Sequence, residues 1–336
     1  MLKRLIYKWE ERLNARDRHK RVSLPFDWGL EYLGIDPSAA PVSAIDSFNG
    51  RVLGASESFF TPSPVAESDF HLDRGWLRFP SALVSPYQAN NTVHARFFEY
   101  PGSDRAVIVS PQWNADAESH VAVCRLLNRV GVSALRLSLP YHDRRMPEEL
   151  SRADFMVSAN IGRTIQAVRQ AVQDVRRAAD WLTVRGIRHV GVLGTSIGSC
   201  VSWLALIHDS RLEAGALNLV SSYFGDVVWR GMTTTHVRRS LEQHLTLEEV
   251  RRAWLTISPI AYSKRLKQRR HRLLMVSARY DPTFLPELSH QFIESCEGYE
   301  GIRQTELPCG HYTLGSTPFK YLDAWHLVRF FKQAWR

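Results

Sequence analysis

The stretch Gly191–Cys200 reads GVLGTSIGSC, with Ser196 set between Gly194 and Gly198, each two positions away. Ahead of it runs IRHVGVLG, a continuous apolar segment of the kind that forms a strand buried on both faces. Behind it runs IGSCVSWLALIHD, which has the length and apolar content of a helix. A serine among glycines also occurs in ordinary small-residue turns. A G-x-S-x-G set between a buried strand and a helix, however, is the setting of a nucleophile elbow. Such a turn is tight, and side chains at the flanking positions would collide. The two glycines remove that conflict, and the helix aims its first amides at the serine.

The texture on either side repeats strand and helix. GWLRFPSALVSP, TVHARFFEYP and RAVIVSP read as strands, HVAVCRLLNRVG as a helix and VSALRLSLP as a strand. A long helix follows, with Ile161, Ile165, Val168, Val172, Val175, Ala179 and Leu182 at steps of three and four, the pattern of a face packed on a sheet. Beyond the serine come strand AGALNLVSSYF, strand HRLLMVSARYD, helix LPELSHQFIESC, strand IRQTELP and helix YLDAWHLVRFFKQAW. This alternation predicts an α/β fold, a mostly parallel sheet with helices on both faces. Residues 226–261 break the rhythm. TLEEVRRAWL there opens with a capping box, Thr246 to Glu249, and predicts an inserted set of helices.

The chain has 336 residues, 44% of them hydrophobic and 23% charged, which predicts a soluble globular protein with a large core. Its net charge of +9 permits nucleic acid, an anionic membrane face or an acidic substrate and selects none of them. No RNA-binding, zinc-finger or helix-turn-helix pattern is present, so the expectation is no nucleic-acid partner and a solvated basic surface. The four cysteines, Cys124, Cys200, Cys296 and Cys309, are far apart with no C-x-x-C, which argues against a disulfide framework or zinc site and for a reducing compartment. The first residues, MLKRLIYKWEERLNARDRHKR, have too short an apolar run for a secretory signal, and no segment approaches the ~20 apolar residues of a membrane span. A cytoplasmic location is the expectation. Leu2, Leu5, Ile6, Trp9 and Leu13 share one face of a basic helix, predicted to pack on the body, with weak membrane-surface contact as the sharper alternative. Residues 22–69 read as irregular. The chain thus divides into an N-terminal helix and extension, 1–73, and a main domain, 74–336.

A serine hydroxyl needs a base to take its proton, an acid to orient that base, and donors for the oxyanion. LLMVSARYDPTFLP offers Asp281 directly after an apolar strand, and IRQTELPCGHYTLG offers His311 after the next. Taken singly, each also reads as an ordinary turn aspartate or loop histidine. Together they place Ser, Asp and His, in that order, at strand C-terminal ends, where open α/β sheets gather their functional groups. From about Arg74 to Arg336 the chain resembles the α/β-hydrolase superfamily, on the strength of GTSIGS, SARYDPTFLP and PCGHYTLG. The resemblance implies a Ser196–His311–Asp281 triad on a sheet of about eight strands. ISPIAYSKRL resembles the connection found in dienelactone-hydrolase-like and prolyl-peptidase-like members.

The loop after the third strand of that scheme departs from the family's pattern. It reads VSPQWNAD where His-Gly is usual, and Pro111 has no N–H. The oxyanion donors expected are therefore backbone N–H of Ile197 with that of Gln112 or Trp113, and Trp113 is alternatively a wall of the acyl pocket. Asp226, after the strand that follows the elbow helix, is the alternative acid. In PYHDRRMP, His142, Arg144 and Arg145 are either contacts for an anionic substrate group or a solvated loop. No metal-ligand spacing or phosphate-binding glycine loop occurs, so no cofactor is implied. The expected function is a serine hydrolase acting on a small-molecule ester or related acyl bond, with the 226–261 insertion as a lid whose Trp229, Met232 and Trp254 shape an apolar pocket. An acyltransferase, a peptidase and a non-catalytic binding or membrane-associated protein of the same fold are the alternatives.

Overall fold

Alternating faces along the central strands organise the molecule. In the computed structural model, which describes residues 2–268 and 270–335, a single sheet contains β1 (His71–Asp73), β2 (Trp76–Pro80), β3 (Thr92–Phe98), β4 (Arg105–Ser110), β5 (Ser133–Leu137), β6 (His189–Thr195), β7 (Leu212–Asn218), β8 (Arg272–Ala278) and β9 (Ile302–Leu307). Its order is β1-β2-β3-β5-β4-β6-β7-β8-β9. The run from β5 to β9 is parallel, and β1, β2 and β3 join it antiparallel. Eight of these strands are those the sequence predicts. The ninth, β1, is a three-residue arm folded back on β2 through Arg74 and Gly75, both at positive φ (47° and 81°), and is too short to show a period.

Ala106 and Ile108 of β4, with Val190 and Val192 of β6, face one apolar layer, while Val107, Val109 and Leu193 face the other. Both layers need helical cover, because side chains alternate across a strand and both sets here are apolar. The helices are α1 (Leu2–Arg18), α2 (Pro41–Gly54), α3 (Ser56–Phe60), α4 (Val121–Arg129), α5 (Ile161–Val184), α6 (Ile197–His208), α7 (Phe224–Arg230), α8 (Thr235–Leu241), α9 (Leu247–Ala253), α10 (Pro286–Ser295) and α11 (Phe319–Ala334). The buried apolar residues of α5 and α6 belong to the first layer, and those of α4 and α11 to the second. The predicted stripe of α5, from Ile161 to Leu182, is fully buried.

The region 22–69, expected to be irregular, contains α2 and α3. Pro41 starts α2, and Ile45, Phe48, Asn49 and Val52 form its buried face at steps of three, one and three. This face packs against the insertion, where Asn49 Nδ2 donates to Arg252 O at 2.8 Å. The loop stretches are held by polar side chains of α5. Gln173 donates to Phe59 O and Thr61 O (both 3.0 Å), and Arg177 donates to Pro80 O and Ser63 O (2.7 and 2.6 Å). These donors satisfy backbone carbonyls that a sheet or helix would otherwise serve.

The basic surface expected from composition is also partly an internal brace. Arg136 and Arg145 are buried and ion-paired with Asp143 and Asp174 at 2.7 and 2.9 Å. The insertion after β7 folds as α7, α8 and α9. The capping box at Thr246 forms, and buried Asp226 takes a bidentate pair from Arg251, 2.8 Å on each arm. Among the described residues no helix is long and apolar enough to cross a membrane.

Candidate active site

Ser196 occupies the turn between β6 and α6 at φ 57°, ψ −122°. A non-glycine residue adopts such angles only under constraint, and here the constraint is visible. A Cβ on Gly194 would lie 1.9 Å from Gly198 O, and one on Gly198 would lie 2.1 Å from Ser110 O. Those glycines let the elbow close against the end of β4. Ser196 N–H donates to Asn218 O at 2.9 Å, which pins the turn to the end of β7.

The other two candidates arrive from loops after β8 and β9. Ser196 Oγ lies 3.1 Å from His311 Nε2, and His311 Nδ1 lies 2.9 Å from Asp281 Oδ2. Asp281 is fully buried, and its Oδ1 accepts the N–H groups of Thr283 and Phe284 at 2.7 and 2.8 Å. Burial by itself pushes the His311 pKa down. The Asp281 charge and hydrogen bond outweigh it, Glu10 adds to them, and the net shift is upward. The ring of Phe284 stacks on His311 at 5.2 Å and 26°. Asp226, the alternative acid, is instead tied up with Arg251 inside the insertion.

Glu10 was not visible as a site residue in the sequence, and neither was Asn14. The packed face of α1 is Ile6, Glu10 and Asn14, with Leu2 and Leu5 exposed, so the helix is rotated from the orientation its apolar stripe predicts. Glu10 is completely buried and accepts Tyr312 N–H at 3.0 Å and Thr313 N–H at 2.8 Å, directly beside His311. Arg21 bridges Asn14 Oδ1 and the Tyr312 hydroxyl at 2.6 and 3.0 Å. The N-terminal helix therefore holds the histidine loop.

Ile197, Gln112 and Trp113 meet at Ser196. Ile197 N–H opens α6 immediately after the serine, and close contact of Gly198 with Ser110 O and Pro111 O brings the Pro111–Ala115 loop alongside. Among the described residues, none of the three backbone N–H groups has a hydrogen-bond acceptor. Within this loop Asn114 adopts the left-handed conformation at φ 59°, which this residue type tolerates. His142 Nε2 accepts Asn114 N–H at 2.9 Å while Nδ1–H donates to Pro140 O at 2.8 Å, and Asn114 Oδ1 accepts Ala153 N–H at 2.8 Å. Burial lowers the His142 pKa to about 4, consistent with the neutral ring these bonds require. His142 is thus a buried brace for the loop, not a substrate contact or a solvated residue. Arg145 is buried against Asp174, and Arg144 lies over the Trp76 ring at 4.6 Å.

Two cavities open at Ser196. The smaller, about 60 Å³, is mostly apolar and is walled by Trp113, Ile197, Tyr223, Phe224 and Val228 among others. Phe224, at the head of α7, and Val228, inside the insertion, reach this cavity, but Trp229, Met232 and Trp254, expected to shape the pocket, do not border it. Trp254 is fully buried, donating to Ile161 O at 3.2 Å, and Trp229 lies under Arg238 at 5.4 Å. The larger cavity, about 740 Å³, is reached past Gln112, Trp113, Ser196 and His311, and is bounded by α4 and α11.

No protein-family model and no curated protein sequence matches this chain. Solved structures do. An acylaminoacyl peptidase of Pyrococcus horikoshii aligns at TM-score 0.62 and 13% identity, over 79% of this chain and 42% of that one. An esterase of Pyrococcus furiosus aligns at TM-score 0.55 and 16% identity, over 82% and 97%. The fold is that of the α/β-hydrolases. A third member, acetyl xylan esterase 1 from Thermoanaerobacterium, aligns at TM-score 0.60 and 12% identity, over 83% and 93%. The chain spans less than half of the peptidase and nearly all of each esterase. At such identities the likeness carries the α/β-hydrolase fold alone.

Proposed function

We propose that the protein is a serine hydrolase that cleaves esters of short acyl groups. The observation that carries this is the continuous chain Ser196 Oγ–His311 Nε2–Asp281 Oδ2, with links of 3.1 and 2.9 Å, opening into a cleft. Ser196 Oγ attacks the carbonyl carbon while His311 Nε2 takes its proton. Asp281 fixes the tautomer with hydrogen on Nδ1 and stabilises the imidazolium. The carbonyl oxygen becomes an oxyanion held by Ile197 N–H and the N–H of Gln112 or Trp113. Collapse expels the alcohol, which takes the proton from His311. A water molecule, deprotonated by His311, then releases the acid and restores Ser196.

The leaving alcohol must lie where His311 can protonate it. His311 borders the larger cavity and not the smaller one, which supports the alcohol in the former and the acyl group in the latter. At about 60 Å³ the acyl side is smaller than the ~150 Å³ cavity that admits benzene, which favours acetyl and propionyl groups.

Labelling with a fluorophosphonate probe tests the nucleophile. Wild type is expected to label, and Ser196→Ala and His311→Ala are not. A 4-nitrophenyl ester series is expected to show kcat/KM greatest at two or three carbons and at least tenfold lower at eight. Absence of labelling in folded wild type, or a preference for eight carbons, refutes the corresponding part.

A further inference from the structure

Helix α11 carries an outward stripe of large side chains that packing within the molecule does not explain. Tyr321, Trp325, Arg329 and Lys332 recur at steps of four, four and three, so they share one face. Tyr321 is 65% exposed, Trp325 51% and the adjoining Leu322 41%. Single exposed apolar residues are ordinary on any surface. Three within five positions of one helix form a patch, and a patch rimmed by polar residues marks an interaction site. Alongside runs α4, where Leu126 and the following Val130 form the other wall of an apolar groove against Ala324 and Val328.

The same face is basic without compensation. Helix α4 has no acidic residue, and the single one of α11, Asp323, is buried and bonded to Asn218. Arg125 and Arg129 of α4, and Lys320, Arg329 and Lys332 of α11, are all exposed. Among the described residues none of these five has an ion-pair partner. Surface arginines elsewhere do: Arg188 pairs with Asp104, Arg230 with Glu287 and Arg279 with Glu306. Two of the five lie over the exposed rings, Lys320 over Tyr321 at 5.1 Å and Arg329 over Trp325 at 5.0 Å.

One occupant has to satisfy both kinds of side chain. Trp and Tyr favour the headgroup level of a bilayer, where the ring meets an apolar layer and its N–H or O–H stays wet. Lys and Arg are drawn to the negative potential of anionic lipids. Attachment to a membrane surface grows with buried apolar area and with this attraction together. A nucleic acid would also take cations and rings, but it offers nothing apolar to Leu322 or to the Val130 and Val328 walls of the groove. The rings stand on the outer side of α11, where a broad layer reaches the cations of both helices at once.

We propose that the outer faces of α4 and α11 form a docking surface for an anionic phospholipid bilayer, with Tyr321, Leu322 and Trp325 entering the headgroup layer and the five cations meeting the lipid charges. Leu126, Tyr321 and Ala324 border both the groove and the larger cavity that opens at Ser196. Docking therefore brings the adjoining end of that cavity to the lipid surface. This is a different surface from the basic helix α1, and its test requires no hydrolysis.

The test is flotation of the full chain with vesicles of phosphatidylcholine alone or of phosphatidylcholine mixed with phosphatidylglycerol. Wild type is expected to partition onto the mixed vesicles at least tenfold more than onto the neutral ones, and to bind less at about 1 M salt, where the screening length falls to about 3 Å. Arg329→Glu combined with Lys332→Glu, and separately Arg125→Glu combined with Arg129→Glu, are each expected to lower that partitioning at least tenfold. Trp325→Ala is expected to lower it at least threefold. All five positions are exposed, and thermal unfolding of each variant confirms that it is folded. Leu2→Ser combined with Leu5→Ser, on α1, is expected to leave flotation unchanged. No flotation of wild type with the mixed vesicles, flotation unchanged in the α4 and α11 variants, or flotation lost only in the α1 variant overturns the proposal. Binding of polyuridylate or polyglutamate that the same variants abolish, without flotation, assigns the face to nucleic acid or to an acidic protein and overturns it as well.

Discussion

Asp281 has two jobs, and they divide between its two oxygens. Oδ1 is held by the amides of Thr283 and Phe284, and Oδ2 faces His311 Nδ1. In Asp281→Asn the remaining oxygen stays with the two amides, because they offer only hydrogens. The new NH2 group then points at His311 Nδ1, which must accept, and the ring hydrogen moves to Nε2. That tautomer cannot take the Ser196 proton. A kcat loss of about 10³–10⁴-fold is expected with little change in KM, measured on a short-chain ester. Thermal stability should change far less, since the fold of the loop is kept. The distinction is useful because an oxyanion donor cannot be removed by side-chain substitution here: all three candidates are backbone groups.

Helix α1 acts on the same histidine from the outside. Glu10 supplies two oxygens to two amides of the loop and contributes to holding the His311 pKa above its ordinary value. The proposed reaction needs neutral His311, so kcat/KM is expected to fall as pH drops through that pKa. Glu10→Gln removes a charge and leaves one oxygen for two donors. The acid limb of kcat/KM is expected to move to lower pH while the plateau drops severalfold, measured between pH 5 and 9. A plateau loss with an unmoved limb would show that Glu10 acts on loop shape alone. This contact also marks where the sequence stops being legible. That Ser196, Asp281 and His311 come together is readable because each follows its strand by a few residues, and strands announce themselves by local pattern. Glu10 is not, because its partners lie 302 and 303 positions away and one of two adjacent glutamates on a basic helix looks like surface. His142 was misread for a related reason: burial, not residue type, decides whether a histidine braces a loop or meets a substrate. Helix α2 was within reach, since Pro41 followed by Ile45, Phe48 and Val52 has helical spacing, but the surrounding proline and serine masked it.

Across the whole molecule the N-terminal extension, the long helix α5, the insertion and the sheet are cross-braced by arginine. That is why a chain with a charge of +9 keeps several guanidinium groups inside. The brace within the insertion is the most exposed to test. Asp226 is 2% exposed and Arg251 31%, so Arg251→Met strands a buried carboxylate. A loss of about 3 kcal/mol is expected in denaturant unfolding, with α7 displaced from the acyl cavity and chain-length preference broadened. Replacing both partners by apolar residues should restore much of the stability. The docking of α1 on the histidine loop has a further meaning in time. Synthesised early, the helix carries a glutamate whose partners are about 300 residues behind it, a wait of about 15–60 s at ~5–20 residues per second. Until the segment around His311 emerges, the helix has nothing to hold, and Ser196 lacks its proposed base. On the proposed mechanism, competence to react therefore arrives in a single late event, when distant parts of this sequence find each other, and a growing chain carries its serine through synthesis unarmed.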